Sequence, residues 1–457
     1  MPRPSSIDSS RNVDHAYDQY LSQNEKTILR SISQFQEKMQ QSFIKFGRFT
    51  IPSFLKAHFI TPKQEKLLKT VSDSFYSILN KITSLYFTEG MLAQRFNLTK
   101  EAEELVKIDP GLSRSAIICR LDGFLEGESL KFLEINCDAP AGMAYADMLE
   151  NIFFETEELK DFCKEFQLKR EDHSQKVLAT LLNAYEEFGG YENPNIAIID
   201  WKTVRTKAEL EALKNFFEGK GYKTTIADPR DLRFKTGKLY HGNFKIDLLY
   251  RRVAFLELVE KLEDVQDLIK AYRERAICMV NPLRAFLASS KSTLSVLTSP
   301  SYDRFFSERE NEIKREHIPW TRRILDAENF YGKRKGYLIN FLKDEKESLV
   351  LKPSEGYGGR DIIIGKETRD EDWNAAMDKA IKSGWIIQEF VNQPKMTVPT
   401  IVNGKLDFAY KLISASIFIC DGKYAGGISR VSDDFVINVS KGGGLIPIIA
   451  SEETINR

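Results

Sequence analysis

The sequence predicts an α/β (α+β) protein of several lobes, and three observations carry that reading. At 457 residues the chain exceeds the roughly 250–300 residues at which a single core stops growing. Residues 1–114 place apolar side chains at three- and four-residue spacing, the period of amphipathic helices. The period then drops to two at Ser115, and from near residue 195 a strand, helix, strand order repeats.

In order along the chain, EKTILRSISQFQEKMQQSFIKF and TPKQEKLLKTVSDSFYSILNKITSLYF predict the helices of an N-terminal lobe. SAIICRLDGFLEGESLKFLEIN predicts a β-hairpin at the start of a second segment, 115–150. In residues 151–280, NIAIIDW reads as a short buried strand. Thr206 and Glu209 have the T-x-x-E spacing of a capping box ahead of Leu210, Leu213 and Phe217, and Gly219 and Gly221 end that helix. YKTTIAD and KIDLLYRRV supply further strands of an α/β lobe. No GxGxxG follows its first strand, so a dinucleotide site is weakly supported. Residues 281–457 mix helices and strands, without internal repeats.

Lys+Arg and Asp+Glu both number 66, so no basic surplus argues for nucleic acid or an anionic membrane as partner. No apolar run approaches the ~18 residues that span a bilayer, and MPRPSSIDSSRNVDHAYDQY has no signal-like apolar region. The expectation is a soluble, cytoplasmic protein. Five scattered cysteines without CxxC pairing suit reduced structural thiols.

Chemistry concentrates in two places. If the hairpin turns at Gly127-Glu128-Ser129, Asp122 lies opposite Glu134 and Arg120 opposite Asn136, on one face, while Leu121, Leu133 and Ile135 face the core. Two carboxylates and an amide oxygen are hard ligands suited to Mg²⁺, and Arg120 offers a fork matched to a phosphate oxygen. The same pattern also describes a solvent-facing hairpin with cross-strand ion pairs. In LVLKPSEGYGGRDIIIG, Lys352 closes an apolar strand. Gly356, Gly358 and Gly359 then let backbone N–H groups approach a phosphate, as a lid would, or simply form a turn. The spacing is not that of a P-loop. WIIQEFV, with Gln388 and Glu389 inside an apolar strand, can offer backbone groups to an adenine edge and a carboxylate to a ribose, or be a buried strand that becomes an edge.

Together Arg120-Leu-Asp122, Glu134-Ile-Asn136, Val350-Leu-Lys352-Pro353 with Gly356-Tyr357-Gly358-Gly359, and Gln388-Glu389-Phe390-Val391 resemble the circularly permuted ATP-grasp family, particularly the group related to glutathionylspermidine synthase. The resemblance covers roughly residues 110–450. In ordinary members the E-x-N motif follows the ATP lysines; here it precedes them, which marks the permutation. The resemblance implies an ATP-grasp fold whose metal-binding part is 115–150 and whose ATP-binding part is 281–457, joined by a preATP-grasp-like lobe at 151–280 and a helical N-terminal lobe at 1–114.

It also implies roles. Lys291 and Lys352 are similar to the two ATP lysines. Glu355, Gly356, Tyr357, Gly358 and Gly359 correspond to the phosphate lid, and Gln388, Glu389, Phe390 and Val391 to the nucleotide-binding strand. Asp122, Glu134 and Asn136 resemble Mg²⁺ ligands. Arg120 resembles the catalytic group on the transferred phosphate and Arg430 a second phosphate contact, with Asn438 nearby. The implied activity joins a small-molecule or peptide carboxylate to an amine through an acyl-phosphate, using ATP and Mg²⁺. A phosphotransferase and a catalytically silent scaffold are the alternatives. No Cys-His pairing suggests a second, hydrolytic site, and no motif sets an oligomeric state. Arg251, Arg252, Arg322 and Arg323 are candidates for a substrate carboxylate or else structural arginines.

Overall fold

The computed structural model describes residues 9–324, 329–331, 334–336, 345–354 and 361–452. Helix α1 spans Ser9–Gln23 and α2 Glu25–Gln41, the latter burying Ile28, Ile32, Phe35 and Met39 along one stripe. Strand β1, His58–Ile60, follows, and α3, Pro62–Thr88, starts in a true capping box between Thr61 and Gln64, with proline in its first turn. The stretch expected to be mostly helical therefore also contributes short strands, His58–Ile60 and the pair Lys45–Phe46 and Phe49–Thr50, too short to leave a periodic signal. Beside β1 Lys56, fully buried, ion-pairs with Asp14 and Asp18 of α1 at 3.0 Å each.

The hairpin forms from β2, Ile118–Glu126, and β3, Ser129–Asn136. Its turn is the two residues Gly127 and Glu128, one fewer than expected, since Glu126 pairs with Ser129. A one-residue bulge between Asp122 and Gly123 compensates. Asp122 consequently still faces Glu134, and Arg120 still faces Asn136. The bulge needs glycine: a Cβ on Gly123 would lie 2.1 Å from the Lys131 carbonyl oxygen. Leu133, expected in the core, is the extra residue of the bulge and is half-buried at a cleft wall.

After α4, Met143–Phe154, and α5, His173–Glu187, the α/β unit runs through β4 Ile196–Ile199, α6 Lys207–Gly219, β5 Thr224–Ala227, β6 Leu248–Arg251 and β7 Cys278–Val280. Its parallel sheet has the order β7-β6-β4-β5. The capping box expected at α6 does not form. Thr206 makes no side-chain cap, because Glu209 is fully buried and binds Arg252 at 3.0 Å.

Helix α7, Lys291–Leu297, leads to an antiparallel sheet of β8 Thr321–Arg323, β9 Leu349–Lys352, β10 Ile363–Ile364 and, after α8 Asp370–Ser383, β11 Ile386–Glu389. The order is β8-β11-β9-β10. Trp373, Met377 and Ala380 of α8 pack on Leu349, Leu351 and Ile387, and Gly384 ends α8 in a left-handed conformation.

The chain closes with β12 Lys395–Val402, β13 Lys405–Cys420, β14 Lys423–Ser432 and β15 Gly444–Ala450. They join the hairpin in a seven-stranded sheet of order β1-β15-β14-β13-β2-β3, with β12 on β13. Side chains alternating along β13 enter different apolar clusters, Ile417 and Ile419 one, Phe418 and Cys420 the other, so this part of the sheet is buried on both faces. All five cysteines are free thiols. Among the described residues no helix is long and apolar enough to cross a membrane.

Candidate active site

The seven-stranded and four-stranded sheets meet across a cleft. Asp122, Leu133, Glu134, Ser414 and Arg430 line it from the first, Lys352 and Gln388 from the second, and Asn438 from the final loop. The register explains the first group. Glu134, Asp122, Ser416 and Ser414, and Arg430 stand on successive neighbours β3, β2, β13 and β14, with directly paired residues sharing a face.

Asp122 is the hub. Arg120 donates to both its oxygens, Nε to Oδ1 at 2.8 Å and Nη2 to Oδ2 at 2.9 Å, and donates Nη1 to the Ala141 carbonyl at 2.9 Å. Arg430 Nη2 and Asn136 Nδ2 also donate to Oδ2, at 3.0 and 3.2 Å. Burial works to raise the Asp122 carboxyl, but the two guanidinium groups outweigh it and hold it down at about 2. A fixed negative charge thus sits between two positive ones.

Lys352, at the end of β9, crosses the cleft. Its Nζ donates to Gln388 Oε1 at 2.5 Å and to the Leu133 carbonyl, on the bulge, at 3.3 Å. Burial pushes this amine down to about 8, with Glu134 pulling it up and Lys291 pushing it further down. The charges of Lys291 and Glu134 therefore both reach Lys352, although Lys291 comes from the first turn of α7.

On the nucleotide-binding strand proposed from sequence, Gln388 is buried and also donates Nε2 to Thr321 Oγ1 at 2.9 Å. The Glu389 N–H is taken by the Trp320 carbonyl at 2.8 Å and the Phe390 N–H by the Ser348 carbonyl at 2.7 Å. The Glu389 side chain is exposed. Glu355, Gly356, Tyr357, Gly358 and Gly359 lie outside the described residues.

The donor set suits Mg²⁺. Among the described residues no group of three His, Cys, Asp or Glu side chains is placed to hold a metal ion, yet Mg²⁺ usually takes only one or two carboxylates, completing its shell with water and phosphate oxygens. Asp122, Glu134 and the Asn136 amide oxygen supply that set on one sheet face.

The four arginines held as candidates for a substrate carboxylate are engaged elsewhere. Arg251 is fully buried, paired with Asp138 at 2.6 Å and donating to the carbonyls of Asn281, Val253 and Pro282. Arg252 is held by Glu209. Arg322 donates to Thr298 and Thr321, and Arg323 to the Arg95 carbonyl. Each of these arginines thus makes contacts within the fold. Sequence reading missed three groups at the site: the Leu133 carbonyl, the Ala141 carbonyl and the serines of β13. Only the last had a legible signal, two serines at i and i+2 in the apolar second half of the strand.

The family model described as glutathionylspermidine synthase preATP-grasp matches residues 55–438. The chain belongs to this family. Among curated relatives of this chain, uncharacterized proteins of Mycobacterium bovis and Mycobacterium tuberculosis are each 27% identical over 240 residues, covering 48% of this chain and 40% of theirs. The match thus spans about two fifths of those relatives' length. A glutathione synthetase-like effector from Globodera pallida, solved in its apo form, is similar in fold with a TM-score of 0.60 at 12% identity, covering 93% of this chain and 97% of that one. The fold is the ATP-grasp fold expected from the sequence, with the Asp122 to Asn136 hairpin ahead of Lys291 and Lys352 in the chain.

Proposed function

We propose that this protein is an ATP-dependent carboxylate-amine ligase that forms an amide or peptide bond through an acyl-phosphate, releasing ADP and phosphate. The observation that carries the reading is Lys352 spanning from one sheet to the Leu133 bulge of the other, beside Glu134 and the Arg120–Asp122–Arg430 cluster. A buried lysine and two arginines around one cleft suit a triphosphate. Family membership supports the same activity.

In this reading Lys352 and Lys291 hold the nucleotide phosphates, and Gln388 to Val391 flank the base and ribose. Asp122, Glu134 and Asn136 would hold Mg²⁺, which when bound neutralises phosphate charge. Arg120 is already oriented by Asp122 and by the Ala141 carbonyl, so its fork can receive the transferred phosphoryl oxygens without reorganising first. Arg430 completes the positive surface. The phosphoryl passes from ATP to an oxygen of the substrate carboxylate; an amine then attacks the acyl carbon and phosphate leaves.

The test is ADP release by the purified protein, measured over mixed carboxylic acids, peptides and amines. The ligase reading requires ADP and amide in equal amounts, dependent on both substrates. ADP release that needs no amine would replace it with a phosphotransferase, and no turnover with any mixture would favour the silent scaffold.

A further inference from the structure

The cleft floor carries two polar groups that the mechanism above does not use. Ser414 and Ser416 lie on β13, with Ser416 paired to Asp122 and Ser414 to Arg430. Ser416 is 0% and Ser414 8% exposed, and neither hydroxyl has a hydrogen-bond partner among the described residues. The polar groups around them are satisfied: Arg430 on β14 reaches over β13 to Asp122 on β2 at 3.0 Å, above both serines. A buried hydroxyl that has given up water without a protein partner is uncommon and calls for an explanation. Two in one strand, on the face of the cluster, point to a ligand that completes them. Ser414 lines the cleft together with Lys352 and Glu134.

We propose that the Ser414 hydroxyl, backed by Ser416, donates to the terminal phosphoryl group of bound ATP. Strand order sets the direction. Lys352 contacts the row at Leu133 on β3; Glu134 follows on the same strand, then Asp122 on β2, the serines on β13 and Arg430 on β14. Neighbouring strands stand about 4.8 Å apart, so β13 lies about 10 Å from the Lys352 contact on β3, and the last phosphoryl of a triphosphate extended along this row lies nearer β13 than that of a diphosphate. The inference rests on the ATP reading of the cleft and adds a residue that distinguishes the triphosphate from its product.

The experiment compares wild type and Ser414→Ala by calorimetric titration with a β,γ-imido ATP analogue and with ADP, each with Mg²⁺, alongside thermal melts without nucleotide. Ser414→Ala should bind the analogue about tenfold more weakly, bind ADP as wild type does, and melt no lower than wild type, since the substitution removes an unsatisfied buried hydroxyl. A purely structural serine would not separate the two nucleotides. Equal losses for both, no loss for either, or a lowered melting temperature would overturn the assignment of Ser414 while leaving the ATP reading intact. A wild-type protein that binds neither nucleotide would overturn the reading underneath as well.

Discussion

Lys352 concentrates the cleft's electrostatics in one atom. Its amine is buried, and burial sets it at about 8 against the ordinary lysine value. A folded-state value below the unfolded one means that the charged amine costs the fold below about pH 8, and that the cost is relieved as pH rises from there to the ordinary value. A nucleotide phosphate would stabilise the charged amine. Lys352→Met should therefore keep or slightly raise the apo melting temperature while weakening ATP binding at least about tenfold, as a lost charge-assisted contact does. Lys291→Met should weaken binding in the same direction. Calorimetry and melts on both single variants check this, and unchanged ATP affinity in both would remove the lysines from the proposed phosphate grip.

At the scale of elements, the placement of the cluster depends on a loop clamped from the α/β unit. Glu209 of α6 accepts the Gly142 N–H at 2.6 Å and the Arg252 guanidinium at 3.0 Å, while the adjoining Ala141 carbonyl accepts from Arg120. Arg252 and Glu209 are both almost fully buried. Arg252→Met would leave the Glu209 charge uncompensated in the interior, a change that typically costs about 3–5 kcal/mol. Adding Glu209→Gln should recover part of that loss, and denaturant unfolding of the single and double variants measures it. Equal instability in both would show that the pair does not act as a unit. The bulge makes a similar demand: Gly123→Ala brings a Cβ to 2.1 Å from a backbone oxygen, so the hairpin must shift register or lose about 3 kcal/mol or more, visible as a lowered midpoint in the same assay.

These elements also show what the sequence makes legible. Arg120, Asp122, Glu134 and Asn136 come together through a short hairpin whose period-two pattern is local, and the register deduced from it holds because a shorter turn and a bulge offset one another. Glu209 shows the opposite case. Its spacing from Thr206 reads locally as a cap, but the buried guanidinium of Arg252, 43 positions away, takes the carboxylate inward. Ser416 gains its meaning from pairing with Asp122, nearly three hundred positions distant, and Ser414 from pairing with Arg430 on the next strand, contacts that the spacing of the two serines does not encode.

For the whole molecule, acid–base balance is set at a second place against the large sheet as well as in the cleft. His173 of α5 is fully buried. Its Nδ1 meets Asp147 of α4 at 2.9 Å, its Nε2 lies 3.8 Å from Glu150 of the same helix, and its ring packs edge-on against Phe418 of β13. Glu171 also bears on both His173 and Glu150. Burial lifts the Glu150 carboxyl to about 7, with His173 opposing and Asp147 and Glu171 adding to the rise. Burial works to lower His173, but Asp147, Glu150 and Glu171 leave it raised overall.

Both folded-state values lie above the unfolded ones, so the folded chain binds the extra protons and stability is present at low pH. It declines as pH rises past the ordinary carboxyl range toward about 7 for Glu150, and beyond the ordinary histidine value for His173. The two groups share one electrostatic site, so their effects do not add, and the pair should account for about 2 kcal/mol between pH 5 and 8. Glu150→Gln keeps an acceptor for the Glu171 N–H that Glu150 now binds at 2.9 Å but cannot ionise. Its unfolding free energy should fall less steeply over this interval than that of wild type, as denaturant titrations at pH 5, 6, 7 and 8 would measure. Parallel curves for the two proteins would assign the pH response to other groups, with Asp200, raised to about 6 by its own burial, the next to substitute.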